Sequence, residues 1–297
     1  MTTGGVEASR AMARVTVVTV TYESARALPG FLAALPAGLG LVVVDNASRD
    51  EGAALAAAQG AQVLCNPVNR GFGAGCNIGL ATVRTEFALL ANPDARLSAA
   101  AVEALIAAAD LFPDAALFGP CILDEAGRRV RSWDAEQSRR RLLPRRRDAE
   151  PWPEGPLCAE FLSGACLLVR VSAGLRFDER FFLYYEDDDL CASARALGLG
   201  LVLVPGAEVL HEGGRSSAPS PRIEAFKARH MAWSRLHYMA KHQGEDAARE
   251  EAVSRLRHHA GKFLGHALML KRARMAGDAA GFAGTLAWLR GRPASAL

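Results

Sequence analysis

Four consecutive carboxylates are the residues of this chain best suited to acid–base chemistry. These acids, residues 186–189, directly follow an apolar and aromatic run at 181–185, and Leu190, Ala194 and Leu197 are expected to continue an apolar face at helical spacing. We therefore expect the acids to begin a helix, where the positive end of the helix dipole favours negative charge. A carboxylate held there can act as a general base at the floor of a cleft. Acids also cap first helical turns for purely structural reasons, so that alternative stays open.

Alternating strands and helices must position these acids. The β-branched run Val15–Thr21 is typical of a buried parallel strand. The other strand-like segments are 40–44, 61–64, 86–91, 115–118, 158–171 and 199–204, and the helix-like segments are 25–35, 51–59, 97–112, 222–242 and 245–270. This alternation predicts an open parallel sheet. Ligands of such sheets bind at the carboxyl ends of the strands, where Tyr22 and Asp45 fall.

A glycine-rich loop follows the third predicted strand. Gly71, Gly73 and Gly75 alternate with other residues there, and a helix is predicted to begin near Ala74. Backbone amides can approach a phosphate closely at such a loop, and a helix N-terminus attracts it. A turn that only permits close packing would have the same composition.

Two further side chains at strand ends could hold a metal ion. Asp94 follows Asn92 and Pro93 at the end of the fourth apolar strand, and a carboxylate there is a suitable oxygen ligand for a divalent cation. An Asx-type turn is the structural alternative. His211 lies at the end of the last strand beside two glycines, so its ring can reach a cleft and ligate a metal.

Composition limits the class of protein. The chain has 297 residues, half of them hydrophobic, and a net charge of only +3, which fits one or two domains with a large core. Its six cysteines are scattered, without a Cys-x-x-Cys pair, so neither a zinc site nor a disulfide framework is indicated. No apolar run is long enough to span a bilayer, and residues 1–14 lack a secretory signal. We expect a cytoplasmic protein, with the inner face of the membrane as an alternative location.

Arginines dominate one loop. Between residues 128 and 147, nine arginines meet two acids, and prolines follow up to residue 156. We expect a mobile basic loop over 128–156 that is either simply solvated or attracted to an anionic membrane surface or a phosphate-bearing acceptor. Neutralising Arg139, Arg140 and Arg141 should then affect the acceptor or peripheral membrane contact rather than the donor. A nucleic-acid partner is not expected, because no series of aromatic residues alternates with the arginines.

Seven short motifs follow one another between residue 14 and about residue 216. They are Thr-Val-Thr-Tyr-Glu-Ser at 19–24, Val-Val-Asp-Asn-Ala-Ser at 43–48, Asn-Arg-Gly-Phe-Gly-Ala-Gly-Cys-Asn at 69–77, Asn-Pro-Asp at 92–94, Phe-Leu-Ser-Gly-Ala at 161–165, Tyr-Glu-Asp-Asp-Asp-Leu at 185–190, and His211. In this order they resemble the family 2 glycosyltransferases of GT-A fold, especially the bacterial rhamnosyltransferase-like branch.

The resemblance implies an α/β fold of GT-A (Rossmann-like) type. Its open, mostly parallel sheet would be flanked by helices and followed by a helical C-terminal extension. Residues 1–13 are expected to form a disordered leader and 14–216 the catalytic domain. Within that domain, 14–97 would bind the nucleotide sugar and 98–216 would form the acceptor and catalytic half. Residues 217–297 would form the C-terminal helical region.

The resemblance also implies an activity and its residues. It implies inverting transfer from a nucleotide-sugar donor, a dTDP- or UDP-sugar with rhamnose from dTDP-rhamnose as the first choice. The acceptor would be a glycan or lipid-linked molecule of cell-surface polysaccharide synthesis. Asp187 matches the catalytic base, and Asp94 matches the last acid of an Asp-x-Asp motif for Mg²⁺ or Mn²⁺ whose first acid is here Asn92. His211 matches a further ligand.

The remaining matched positions surround the two substrates. Asp45 matches the residue that bonds the pyrimidine base. The donor-binding positions are Tyr22, Glu23, Asp45, Asn46, Arg70, Gly73, Asn77 and Asn92, and the acceptor-side positions are Ser163, Gly164, Glu186 and Asp188.

Two other classes of protein remain open. A sugar-nucleotide nucleotidyltransferase would share the sheet, but it needs a glycine-rich loop with lysine or arginine directly after the first strand, and residues 20–24 lack one. A non-catalytic nucleotide-sugar-binding protein is the other alternative. The presence of Asp94, Asp187 and His211 argues against it.

Overall fold

The structure is a computed structural model that describes residues 10–136, 151–213 and 220–294. Most of the predicted leader, and Arg139, Arg140 and Arg141 of the predicted basic loop, lie outside the described residues. The chain divides into two compact units. We call Met1–Arg70, Gly75–Phe177 and Leu190–Ser217 the sheet unit, and Gly71–Ala74, Asp178–Asp189 and Ala218–Leu297 the helical unit.

The described residues form twelve strands and eight α-helices. The strands are β1 (Val15–Thr21), β2 (Gly40–Asp45), β3 (Gln62–Cys65), β4 (Phe87–Ala91), β5 (Ala95–Arg96), β6 (Ala115–Leu123), β7 (Arg129–Val130), β8 (Trp133–Asp134), β9 (Leu157–Cys158), β10 (Phe161–Leu162), β11 (Cys166–Arg170) and β12 (Gly200–His211). The helices are α1 (Leu28–Ala34), α2 (Gly52–Ala58), α3 (Phe72–Leu80), α4 (Ala99–Leu111), α5 (Glu186–Ala196), α6 (Pro221–Gln243), α7 (Glu245–Leu268) and α8 (Arg272–Leu289).

The sheet unit is built on a mixed sheet with the strand order β3-β2-β1-β4-β11-β6-β12-β5. Strands β3, β2, β1 and β4 run parallel, and β6 and β12 are parallel to each other, whereas β11 is antiparallel to both β4 and β6. All the parallel strands therefore end at one edge of the sheet. The predicted open sheet with flanking helices is confirmed, and its antiparallel members are β11 and the short strands at its margins.

Strand β1 lies inside this sheet because every one of its residues is apolar or β-branched. All seven are buried, with β2 on one side and β4 on the other. Phe31 of α1, Phe87 of β4, Leu105 of α4 and Phe118 of β6 belong to one apolar cluster and are fully buried. Burying a side chain of this size contributes about 1.5–3 kcal/mol, so the core fixes where the strands end and where the polar residues after them begin.

The helical unit joins α6, α7 and α8 to the segment Asp178–Asp189. Phe226, His230, Trp233 and His237 recur at spacings of three or four residues, which places them on one face of α6. The ring centroid of Phe182 lies 4.8 Å from the ring centroid of His230 and 5.7 Å from that of Phe226. The ring centroid of Phe181 lies 4.8 Å from that of His237. These ring contacts attach the segment before the four acids to α6.

Several elements differ from the sequence prediction. The segment 158–171, predicted as one strand, forms the short strands β9 and β10 and the longer strand β11. Strand β12 continues to His211 rather than ending at Val204, with its register against β6 shifting between Val204 and Glu208. Helix α8 lies in the predicted C-terminal helical region, but its bounds were not predicted, because it packs through small residues rather than a stripe of large apolar ones. A Cβ added at Gly284 would meet the backbone of Arg229 on α6, so the two helices approach closely. Within the part of the chain described, no helix is both long and apolar enough to cross a membrane.

Acidification should destabilise the helical unit through His237. Its ring lies between Phe181 and Trp233, and burial lowers the pKa of His237 below its ordinary value of 6.5. A base with a depressed folded-state pKa gives its full stabilisation above its unfolded pKa and loses it as pH falls below that value. We expect the melting temperature to fall between pH 7 and pH 5, and to fall less in His237→Phe. The exposed His258, changed to phenylalanine, is the control; an equal slope in all three proteins would contradict this origin.

Candidate active site

A buried carboxylate closes the carboxyl end of β2. Asp45 is 4% exposed and pairs in register with Thr21 of β1. One carboxylate oxygen accepts a hydrogen bond from the Thr21 hydroxyl at 3.1 Å, and the other accepts one from the Ser48 backbone amide at 3.0 Å. Each oxygen keeps capacity for another hydrogen bond, so Asp45 is rigidly held while still able to receive a ligand N–H group.

The neighbouring turn fixes the other predicted donor positions of β1 and β2. Buried Asn46 accepts a hydrogen bond from Asn66 at 2.8 Å. Glu23 has a positive φ of 53°, and its carboxylate accepts the Arg49 amide at 3.1 Å. Tyr22 is 41% exposed at the end of β1. Side chains from three successive strand ends therefore border the same edge of the sheet.

The glycine-rich loop begins its helix two residues earlier than predicted. Helix α3 starts at Phe72, which places Gly73 in its first turn, while exposed Arg70 precedes it. Gly71 has a φ of 88°, and Gly75 packs so closely that an added Cβ would meet Val20 and Asn46. Close packing therefore explains Gly75 without a ligand.

Asn77 has a definite structural partner. Its amide nitrogen donates to the Phe177 carbonyl at 2.9 Å, and its amide oxygen accepts the Phe177 amide at 2.9 Å. These two bonds hold the chain just before the acidic segment. The roles of Arg70, Gly73 and Asn77 in donor binding remain predictions.

Three polar side chains meet at the ends of β4 and β12. The Nε2 atom of His211 lies 3.1 Å from Oδ1 of Asp94 and 3.1 Å from Nδ2 of Asn92. Backbone pairing brings them together, since β5, directly after Asp94, pairs antiparallel with the end of β12. The Asp94 side chain is only 4% exposed and that of His211 is 18% exposed. The predicted metal ligands Asp94 and His211 are thus neighbours in the sheet unit.

The donor atoms of this pair fit a divalent cation. Two ligands at right angles around a cation about 2.1 Å away would themselves be about 3 Å apart, close to the observed separation of Asp94 and His211. Among residues 10–136, 151–213 and 220–294, no group of three His, Cys, Asp and Glu side chains is arranged to hold a metal. Two protein ligands are nonetheless typical of sites where substrate phosphates and water complete the coordination of Mg²⁺.

The predicted acceptor-side loop is tied to the end of β4. The backbone amide of Asn92 donates to the Ala165 carbonyl at 3.0 Å, and the backbone amide of Ser163 donates to the Ser132 carbonyl at 2.8 Å. Gly164, between Ser163 and Ala165, is buried. Ser163 and Gly164 therefore lie at the same sheet edge as Asn92 and Asp94.

The segment before the four acids has an unusual backbone. Tyr184 and Tyr185 have φ values of 68° and 66°. These values lie in the left-handed region, where each non-glycine residue costs about 1–2 kcal/mol of conformational free energy. Surrounding contacts must therefore hold the two tyrosines in this conformation. The Ser234 hydroxyl donates to the Leu183 carbonyl at 2.9 Å, and the Tyr185 ring lies 5.6 Å from that of Tyr238. Such strain concentrates at functional sites and here sets the direction in which α5 begins.

The four acids of the first turn of α5 have different surroundings. Glu186, Asp188 and Asp189 are buried, at 8%, 5% and 1% exposure, whereas Asp187 is half-buried. The carboxylate of Asp189 accepts hydrogen bonds from Lys241 at 2.8 Å and from His242 at 2.7 Å, and both partners lie in the last turn of α6. Asp187 accepts the amide of Asp188 at 3.0 Å. Of the four acids, Asp187 is therefore the most accessible to a ligand, and Asp189 has a structural role.

Removing the Asp189 charge should destabilise the protein. Hydrogen bonds to charged groups contribute about 1.5–3 kcal/mol each, and Asp189 makes two. We expect Asp189→Asn to lower the free energy of unfolding by about 2 kcal/mol or more, measured by urea denaturation. Glu245→Gln, which breaks the exposed pair with Arg249 on α7, is the control and should change it by less than about 1 kcal/mol. Equal losses in the two variants would contradict the role of Asp189.

Several residues that contact Asp45 or Asp189 were not assigned roles from the sequence. Thr21 and Ser48 lie inside the quoted motifs, and their hydroxyl and amide groups beside Asp45 could have suggested them. Lys241 and His242 could not be found this way. They lie 52 and 53 positions from Asp189, in a helix beyond the resemblance, and only the fold brings them together.

Comparison with known proteins decides the family. The model of glycosyl transferase family 2 matches residues 16–173. The N-acetylglucosaminyl-diphospho-decaprenol L-rhamnosyltransferase of Mycobacterium tuberculosis is 32% identical over 240 residues, covering 69% of this chain and 78% of that protein. The chain belongs to glycosyltransferase family 2. This supports a glycosyltransferase over the nucleotidyltransferase and the non-catalytic binding protein.

Solved structures share the fold of this family 2 member. The mannosyltransferase PcManGT of Pyrobaculum calidifontis, in complex with GDP-Man and Mn²⁺, has a TM-score of 0.55 at 15% identity, covering 93% of this chain and 87% of that one. Residues 1–349 of S. aureus TarS, in complex with UDP, have a TM-score of 0.51 at 14% identity, covering 94% of this chain and 92% of that one. The predicted GT-A class with a helical C-terminal region is confirmed. At these identities the likeness concerns the fold alone.

Proposed function

We propose that this family 2 glycosyltransferase moves rhamnose from dTDP-rhamnose to a lipid-linked or glycan acceptor in cell-surface polysaccharide synthesis. The transfer would invert the anomeric carbon and depend on Mg²⁺ or Mn²⁺, in the cytoplasm or at the inner face of the membrane. The observation that carries the proposal is the pair formed by Asp94 and His211, 3.1 Å apart at the carboxyl edge of the sheet. The acceptor class is supported by the M. tuberculosis relative, which is named as an N-acetylglucosaminyl-diphospho-decaprenol L-rhamnosyltransferase.

Each residue has a role in a direct displacement. The acceptor hydroxyl oxygen forms a bond to the anomeric carbon while the bond from that carbon to the diphosphate breaks, and the diphosphate leaves with the electron pair. The hydroxyl proton passes to the carboxylate of Asp187. A bound divalent cation supplies positive charge that stabilises the departing diphosphate. Asp94 and His211 would hold that cation, and Asp45 would accept a hydrogen bond from the pyrimidine base.

A donor screen tests this function. The full chain is mixed with dTDP-rhamnose, UDP-GlcNAc, UDP-glucose or GDP-mannose, each with prenyl-diphosphate-linked N-acetylglucosamine, and released nucleoside diphosphate is measured with Mn²⁺ or EDTA. We expect release from dTDP-rhamnose, dependent on both acceptor and Mn²⁺. Release from another donor would overturn the donor assignment. Full activity in EDTA would overturn the metal requirement, and no release from any donor would overturn the proposed reaction.

A further inference from the structure

The turn between α7 and α8 exposes three consecutive large apolar residues. Leu268, Met269 and Leu270 are 89%, 63% and 84% exposed, and we call them the apolar tip. Leu264, one turn earlier on α7, is 63% exposed as well. Single exposed apolar residues are ordinary in proteins, but a continuous exposed run marks an interaction surface.

The backbone of the apolar tip is well defined. The Lys271 amide donates to the His266 carbonyl at 2.9 Å, and the Leu270 amide donates to the Ala267 carbonyl at 3.0 Å. This is the Schellman arrangement that ends many helices. Its left-handed position usually holds glycine, yet Leu270 occupies it here with a φ of 54°. The fold thus presents a large apolar side chain to solvent at a position where leucine is unfavourable.

The base of the tip is fixed as well. Nδ1 of His266 on α7 lies 2.6 Å from Oδ2 of Asp278 on α8, both with largely buried side chains. This bond joins the two helices one turn or more behind the tip. Met269 and its neighbours therefore project from a braced helical hairpin rather than from a loose loop.

Positive charge flanks the tip along the chain. From residue 252 to residue 297 the sequence has eight lysines and arginines but a single acid, a formal net charge of +7. That acid, Asp278, is already paired with His266. The cations nearest to the tip along the chain are Lys262, Lys271, Arg272 and Arg274, and all four are exposed.

We propose that the apolar tip inserts into the surface of an anionic lipid bilayer while the adjacent cations bind its headgroups. Exposed leucine and methionine side chains favour the acyl region, and each nearby lysine or arginine adds attraction to an anionic leaflet. A protein partner is the weaker explanation, because a turn of three residues presents far less than the ~800 Å² that each partner buries in a stable interface. This inference is independent of the sugar donor and of the transfer reaction.

Vesicle flotation tests the proposal on the full chain, without any substrate. Wild-type protein should float with phosphatidylglycerol vesicles and much less with phosphatidylcholine vesicles. Changing Leu268, Met269 and Leu270 together to serine should weaken binding at least about 1,000-fold, since each buried apolar side chain adds about tenfold or more. Changing Lys271, Arg272 and Arg274 to glutamine should weaken it about 30-fold or more, and only at low salt.

Matched controls separate the tip from general surface effects. Leu111 and Leu197 are 67% and 68% exposed in the sheet unit, and changing both to serine should leave vesicle binding unchanged. Arg249→Gln alters an exposed arginine of α7 that is paired with Glu245 and should act likewise. Melting temperatures of all variants should match wild type, because the changed side chains are exposed.

A second measurement locates the tip directly. Leu270→Trp should gain a blue-shifted emission with anionic vesicles that brominated acyl chains quench. The proposal would be overturned if wild-type protein did not bind phosphatidylglycerol vesicles. It would equally be overturned if the tip variants bound as well as wild type, or if the emission of Leu270→Trp were not quenched. A tip-dependent dimer in analytical ultracentrifugation that forms equally with and without vesicles would also overturn it, since the tip would then bind a second copy of the chain.

Discussion

Asp187→Asn should slow sugar transfer at least about 100-fold while leaving the folded protein and its donor affinity intact. Asp187 is the least buried acid of the first turn of α5, and its position is set by Tyr184 and Tyr185 in the left-handed region. The amide has the shape of the carboxylate but cannot accept the proton of the acceptor hydroxyl. General-base catalysis contributes about 100- to 10,000-fold, so kcat should fall by at least about 100-fold. Initial rates and calorimetric donor binding measure the two effects.

The neighbouring acids provide the controls for this experiment. Asp189→Asn should reduce stability through the lost contacts with Lys241 and His242, with a smaller change in kcat. Asp188→Asn and Glu186→Gln test whether the acids are interchangeable charges of a helix start. Equal loss of activity in all four variants, or near-normal turnover by folded Asp187→Asn, would show that Asp187 is not the base.

Asp94→Ala should remove the metal-dependent part of nucleotide binding. Asp94 is the carboxylate next to His211, and loss of a charged ligand should weaken Mn²⁺-dependent affinity for dTDP by about 100-fold or more. Asp45→Ala should instead weaken dTDP binding equally with Mn²⁺ and with EDTA, because Asp45 is assigned to the base. Calorimetry of both variants under both conditions separates the two roles. Loss of only the metal-dependent part in Asp45→Ala would contradict the role of Asp45.

The asparagine at position 92 allows the opposite experiment. Its Nδ2 atom lies 3.1 Å from Nε2 of His211, so a carboxylate in its place would add negative charge beside the proposed cation. We expect Asn92→Asp to tighten Mn²⁺ binding about tenfold, which corresponds to ~1.4 kcal/mol. Unchanged or weaker Mn²⁺ affinity would show that the cation does not bind between Asp94 and His211.

The sequence predicts those features of each unit that depend on local chemistry. A buried β-branched run marks β1, and a polar residue directly after a buried strand marks the carboxyl edge of a parallel sheet, which is how Asp45 and Asp94 could be located. The apolar run ending at Tyr185 correctly predicted that a helix begins at the acids. These signals are readable because each depends on residues that are neighbours in the chain.

Features that depend on tertiary pairing could not be read in the same way. The contact between Asp94 and His211 requires the two-residue strand β5, which is too short for a periodic signal. The positive φ of Tyr184 has no sequence signature, because tyrosine rarely adopts this conformation. Helix α8 approaches α6 through Gly284, and a stripe of small residues lacks the large apolar periodicity that predicts a core-facing helix.

The stereochemistry of the product tests the central claim most directly. The full chain is incubated with the nucleotide sugar that the donor screen identifies and with the acceptor of that screen, and the anomeric configurations of donor and product are compared by NMR coupling constants. A direct displacement assisted by Asp187 predicts inversion at the anomeric carbon. Retention would contradict the account, because a single attack by the acceptor hydroxyl on the face opposite the departing diphosphate inverts the anomeric carbon.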